Sequence, residues 1–194
     1  MCFKPSANAG QEPMRERYAA WAARWRVPLG FGLGVTFLVF SRPTFRLLLV
    51  GGAIALAGLV LRCYAAGYLQ KNESLATAGP YTYTRNPLYL GSLFLGAGFA
   101  LAGGLWFFGL AFAILFLTIY LPVMRREEQY LRQKFGATYD AYAREVALFF
   151  PLCRGSRPHD GAFSWHTYCR NREYRAALGF LLVIAFLTVK IWLQ

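Results

Sequence analysis

Five apolar stretches decide what this chain can fold into. Val27 to Phe40 is stopped by Ser41-Arg42-Pro43, and Phe45 to Leu61 runs up to Arg62. Leu88 to Gly103 and Leu105 to Met124 follow each other with only Gly104 between them. Tyr174 to Gln194 has Arg175 and Lys190 near its ends. A helix needs roughly 20 apolar residues to cross the hydrocarbon of a bilayer. The first and third runs are shorter, so they borrow flanking residues, tilt or thin the bilayer. None of the runs alternates at the period of a strand. The expectation is an all-α integral membrane protein of about five transmembrane helices.

Composition agrees. Apolar residues make up 57% and aromatic residues 18%, which excludes disorder. Only 15% are charged, yet the net charge is +12. Threading five spans from a cytoplasmic N-terminus puts every Lys and Arg except Arg42, Arg46 and Lys190 on the inner side. That asymmetry is what the positive-inside rule predicts. The charge therefore encodes topology and attraction to anionic membrane lipid, and no nucleic-acid partner is expected. The expected location is a bacterial inner membrane, with the N-terminus cytoplasmic and the C-terminus outside.

Three regions are expected: a basic segment 1–26, a membrane core 27–151 of four spans plus cytosolic helices, and an extension 152–194 with the fifth span. The first segment lacks a small-residue cleavage site after an apolar run, so it does not read as a signal peptide. Its Tyr18, Trp21, Ala22 and Trp25 recur at helical spacing among arginines, as in an amphipathic helix on the inner leaflet. The glycines of Gly30-x-Gly32-x-Gly34 and Gly96-x-Gly98 read as helix-packing positions. The four cysteines form no C-x-x-C pair, and no disulfide is expected. The order Cys153, His159, His166, Cys169 matches no zinc spacing, so no metal site is expected.

Polar residues gather in two inner loops at the feet of the third-and-fourth-span hairpin. The first ends Gly79-Pro80-Tyr81-Thr82-Tyr83-Thr84-Arg85-Asn86-Pro87-Leu88-Tyr89. Gly79-Pro80 signals a turn, Asn86 is a good N-cap, and Pro87 suits the first helical position. In the second loop, Glu127 and Glu128 are two of only nine acids, and Glu128 can pair with Arg132 at i,i+4. Phe135-Gly136 reads as a helix stop, followed by a short helix with Tyr139 and Tyr142 on one face. Such a set suits a cationic, adenine-bearing ligand. Carboxylates take an ammonium group, tyrosines face a sulfonium or stack a base, and Arg85 grips a carboxylate.

In this order and around this hairpin, Gly79-Pro80-Tyr81 … Arg85-Asn86-Pro87-Leu88-Tyr89 … Gly91, Glu127-Glu128-x-x-Leu131, Phe135-Gly136-x-x-Tyr139-x-x-Tyr142 and Pro151 resemble the isoprenylcysteine carboxyl methyltransferase and phospholipid methyltransferase superfamily. The resemblance runs from about Phe45 to Pro151. It implies a membrane enzyme that uses S-adenosylmethionine without a Rossmann fold. The sequence agrees in lacking a βαβ pattern. Carried over by position, the resemblance nominates Arg85 and Asn86 as catalytic. It nominates Tyr81, Pro87, Leu88, Tyr89, Glu127, Glu128, Tyr139 and Tyr142 for the cofactor pocket at the cytosolic face. Asn86 stands where eukaryotic relatives have His, and Val146-Ala147-Leu148-Phe149-Phe150-Pro151 lacks the Arg that many bacterial relatives carry there.

The implied reaction is methyl transfer to a lipophilic acceptor, either a prenylcysteine-like carboxylate or a phospholipid-like amine. A carboxylate needs no general base, whereas for an amine Glu127 or Glu128 would be the nearest one. Two other classes stay open. A reductase of the sterol reductase type would use a nicotinamide cofactor, with the Arg-rich 125–175 stretch on its 2′-phosphate. A non-catalytic membrane scaffold would use the same residues as caps and interface anchors. The oligomeric state is not readable from the sequence.

Overall fold

The computed structural model describes residues 14–70, 74–151 and 161–194. Residues 1–13 of the basic segment, Lys71, and the Cys153 and His159 of the rejected zinc pattern lie outside the described residues. In chain order the elements are α1 (Met14–Phe40), α2 (Phe45–Tyr68), a 3-10 turn (Gly79–Thr82), α3 (Pro87–Ala102) and α4 (Trp106–Leu115). There follow a π-helical turn (Phe116–Tyr120), α5 (Leu121–Phe135), α6 (Ala137–Glu145), α7 (Trp165–Arg170) and α8 (Tyr174–Trp192). Among the described residues there is no strand, only one isolated parallel bridge between Thr84 and Ala147. The fold is that of an all-α membrane protein. Phe45–Tyr68, Trp106–Phe135 and Tyr174–Trp192 are long and apolar enough to cross a membrane, and Val27–Phe40 and Pro87–Ala102 are shorter apolar helices. These match the five expected runs, except that the fourth continues through α5 to Phe135.

Small residues let α2 and α3 touch along their backbones. A Cβ on Gly51 would collide with the Gly98 carbonyl, and one on Gly98 with the Ala55 amide. Farther along, a Cβ on Gly58 would stand 2.5 Å from the Gly91 carbonyl. Gly96 instead makes room for the Phe112 ring. Gly30, Gly32 and Gly34 meet nothing within 4 Å, so the expected packing role fails within the described residues.

From Met14 on, the basic segment and the first apolar run form one continuous helix. α1 runs through Pro28, and its middle is docked. Ala22 is buried with Ile119 and Val123, and the Tyr18 hydroxyl donates to the Thr118 carbonyl at 2.9 Å. The Tyr18 contact has a local cause. Pro122 has no N–H to offer the carbonyl four residues before it, and that carbonyl belongs to Thr118. The π-helical turn occupies the same place.

At one end of the bundle, Gly104 turns the hairpin with φ +75, and the Arg42 amide donates to the Gly103 carbonyl at 2.8 Å. There Lys190 of α8 caps the end of α1. Its ammonium donates to the Leu38 and Val39 carbonyls, both at 2.8 Å, and to the Ser41 hydroxyl at 3.3 Å. Helix C-termini leave carbonyls unpaired and favour a cation, so the lysine is well placed. At the opposite end, the part beyond residue 160 is fastened to α2. The Ser164 amide donates to the Gly67 carbonyl at 3.1 Å, and Asn171 Nδ2 donates to the Ala66 and Leu69 carbonyls at 2.9 Å. Between α1 and α4 lies an open, largely apolar groove of about 560 Å³, lined by Tyr18, Trp21, Leu29, Ile114 and Ile119 among others.

Candidate functional site

Both polar loops meet at the α3 N-terminus, as the hairpin requires. Gly79 opens the 3-10 turn with φ +60. Only glycine fits there, since a Cβ would stand 2.7 Å from the Tyr68 ring. The turn buries Tyr81, whose carbonyl accepts from the Tyr142 hydroxyl at 2.7 Å. Gly136 ends α5 with φ +53, its amide donating to the Arg132 carbonyl at 2.9 Å. α6 then presents Tyr139 and Tyr142 on one buried face with ring centroids 6.2 Å apart, as the sequence predicts.

The centre of the site is an ion pair between the two loops. Arg85 Nη1 donates to Glu128 Oε1 at 2.7 Å and to the Tyr139 hydroxyl at 3.3 Å. The side chains of Arg85 and Glu128 are only 12% and 19% exposed. Arg132 approaches the same Oε1 at 3.7 Å and donates from Nε to Asp140 at 2.8 Å. The helical pair expected for Glu128 therefore exists, but it is secondary to Arg85. One polar atom at this centre stays open: among the described residues, Arg85 Nε is buried with no acceptor. It lies beside the Glu128 carboxylate, whose Oε1 takes Arg85 Nη1.

Beside this centre, the Tyr89 hydroxyl donates to Glu127 Oε1 at 2.9 Å, and the Tyr89 ring meets the edge of Tyr120 at 5.8 Å. Pro87 is fully buried at the first turn of α3, with Leu88 half-buried next to it. Burial pushes the phenol pKa values of Tyr81, Tyr139 and Tyr142 up, Arg85 pulling partly the other way on the last two. All three stay neutral hydrogen-bond donors at ordinary pH. Burial also opposes the charge of Arg85. The hydroxyl of Tyr139 and the carboxylate of Glu128 more than offset it and hold the guanidinium pKa above its usual value.

Asn86 departs from its expected structural role. It occupies the N-cap position and Pro87 the first helical one, but its side chain does not cap α3. Asn86 Nδ2 donates instead to the Leu148 carbonyl at 2.9 Å. This is one of three ties to an extended strap after α6. The Arg85 amide donates to the Ala147 carbonyl at 2.9 Å, and the Thr84 hydroxyl to the Phe149 carbonyl at 2.7 Å. Sequence reading missed Thr84 and the strap. The signal was the run Val146-Ala147-Leu148-Phe149-Phe150 closed by Pro151, which has strand-like rather than helical composition.

The nominated residues thus form three touching groups: Arg85 with Glu128 and Tyr139, Tyr89 with Glu127, and Tyr81 with Tyr142, while Asn86 holds the strap. Among the described residues, no three His, Cys, Asp or Glu side chains gather as a metal site would require.

Three curated relatives match the chain. It is 32% identical over 140 residues to the cobalt-zinc-cadmium resistance protein CzcN of Cupriavidus metallidurans, covering 69% of this chain and 55% of that one. It is 27% identical over 127 residues to the protein-S-isoprenylcysteine O-methyltransferase of Schizosaccharomyces pombe, covering 63% and 54%. It is 35% identical over 114 residues to the nickel-cobalt-cadmium resistance protein NccN of Alcaligenes xylosoxydans xylosoxydans, covering 54% and 50%. The chain spans about half the length of these relatives. No solved structure matches it. Residues 44–138 match the family described as phospholipid methyltransferase. That segment holds the hairpin and all the nominated residues except Tyr139 and Tyr142, and it carries the chain's similarity to the phospholipid methyltransferase family.

Proposed function

We propose that the site binds S-adenosylmethionine and that the protein transfers its methyl group to a lipophilic acceptor at the inner membrane face. The observation that carries this reading is the buried donor at the centre: among the described residues, Arg85 Nε–H lacks an acceptor, next to the Glu128 carboxylate. The amino-acid end of the cofactor has a carboxylate that would accept from Arg85 and an ammonium that would donate to Glu128. The family match and the methyltransferase relative support the same reaction. When bound, the cofactor would supply an electrophilic methyl carbon on a sulfonium for the acceptor's lone pair, leaving as the neutral thioether.

This leaves the protein with little covalent chemistry and much positioning. Arg85 and Glu128 hold the ligand's charged end. The Tyr81–Tyr142 contact and the strap wall the site from water. The acceptor atom must be held within roughly 3 to 3.5 Å of the methyl carbon. A carboxylate acceptor becomes a methyl ester with no proton to move. An amine acceptor must lose a proton, and Glu127 beside Tyr89 is the nearest carboxylate that can take it. The groove between α1 and α4 reaches Ile119, part of the buried cluster with Ala22 and Val123 that Tyr89 packs against, and offers a lipophilic tail a seat on the membrane side.

The test is calorimetric titration of the detergent-purified full chain with S-adenosylhomocysteine, with NADPH as the parallel ligand. Binding of the first alone supports the reading. Binding of the second alone, or of neither by folded protein, refutes it.

A further inference from the structure

A second buried ion pair stands behind the site and ties it to a part of the chain beyond the family region. Arg62 of α2 and Glu173 at the start of α8 have side chains only 21% and 13% exposed. Arg62 Nη2 donates to both Glu173 oxygens, at 2.9 and 2.8 Å, and Nε donates to Oε2 at 3.2 Å. The remaining nitrogen, Nη1, donates to the Leu88 carbonyl at 3.2 Å and to the Ser92 hydroxyl. That hydroxyl donates to the same carbonyl at 2.9 Å. The guanidinium stem crosses α3 at Gly91, where a Cβ would stand 2.6 Å from Arg62 Cγ. Gly91 therefore leaves room for the stem as well as for the α2 backbone.

We infer that Arg62 and Glu173 are positioning residues for the site: the C-terminal segment supplies the anion that keeps Arg62 on the Leu88 carbonyl, and Arg62 fixes the turn that presents Pro87 and Tyr89. The inference rests on the reading of residues 85–89 as part of the cofactor site. The physical reason is the cost of an unpaired buried charge. Without Glu173, a mostly buried guanidinium has no anion, and it swings toward water and releases Leu88. Tyr89 is the next residue, and its hydroxyl is the one that meets Glu127.

The test uses the full chain in detergent, with S-adenosylhomocysteine affinity, thermal midpoint and hydrogen exchange at residues 88–92 as readouts. Glu173→Gln is expected to weaken binding by about 10-fold or more, as loss of an orienting partner does, and to speed exchange in the first turns of α3. Glu173→Asp is expected to recover most of both. The reversed pair Arg62→Glu with Glu173→Arg separates positioning from plain stability. It restores the charge balance and the thermal midpoint, but a carboxylate at position 62 cannot donate to the Leu88 carbonyl, so affinity stays low. Wild-type affinity in Glu173→Gln, or recovery of affinity together with stability in the reversed pair, overturns the inference. If the wild type binds no S-adenosylhomocysteine, the cofactor reading fails. Exchange at 88–92 then still decides whether the brace exists.

Discussion

Replacing Glu128 with Gln tests the centre of the site with the least change of shape. The amide keeps an oxygen that can accept from Arg85 Nη1, so the 2.7 Å contact survives as a neutral hydrogen bond. Arg85 also keeps the Tyr139 hydroxyl. The pair is mostly buried, with 19% of the Glu128 side chain accessible, and the retained hydrogen bonds limit what its neutralisation costs the fold. Ligand affinity should suffer too. A hydrogen bond to a charged group is worth about 1.5–3 kcal/mol, and 1.4 kcal/mol is tenfold in affinity. S-adenosylhomocysteine should therefore bind about 10- to 150-fold more weakly to Glu128→Gln than to the wild type. Calorimetric titration of both proteins, with a thermal scan to confirm folding, gives the comparison. Equal affinity in a folded Glu128→Gln protein would refute the assignment of the ammonium to Glu128.

Two further outcomes follow from the walls of the site. Tyr142→Phe leaves the Tyr81 carbonyl without its donor, a loss of about 1–3 kcal/mol for a buried unsatisfied group, read as a lower thermal midpoint. The same residues set an alkaline limit: burial raises the Tyr81 and Tyr142 pKa values, whereas unfolded tyrosine ionises near 10. High pH then favours the unfolded chain, so stability should be intact below about pH 10 and fall above it. Tyr142→Phe should reduce that slope. Asn86→Ala cuts one of three ties to the strap, and faster hydrogen exchange at residues 146–149, with α3 exchange unchanged, is the expected result.

Much of the architecture was legible because membrane spans announce themselves locally. An uncharged run needs no distant partner to be recognised, and Pro87 and Gly136 mark helix ends by backbone chemistry alone. What was hidden depends on distance along the chain. Glu128 has a visible cation four residues on, but the closer one, Arg85, lies 43 residues away. Asn86 looked like a cap because capping is a local habit of its side chain, and the strap that claims it follows α6. Gly30, Gly32 and Gly34 had the spacing of an interface and no neighbour to form one. α1 was divided at the place where charge gives way to apolar residues. The contact that unites it, Tyr18 on Thr118, spans 100 positions.

The π-helical turn at Phe116–Tyr120 also sets an angle. An α-helix advances about 100° per residue, and a π-turn admits one residue more than the α-turn it replaces. Everything after it is out of phase with everything before. The stripe of α4 that turns Phe108 inward is not, by simple continuation, the stripe of α5 that turns Glu127 and Glu128 to the site. Straightening this turn into a regular α-turn with its residue count unchanged would leave the apolar span intact and still rotate both acids by about 100° away from Arg85 and Tyr89. The helix works as a keyed shaft, and its key is the extra residue beside Pro122.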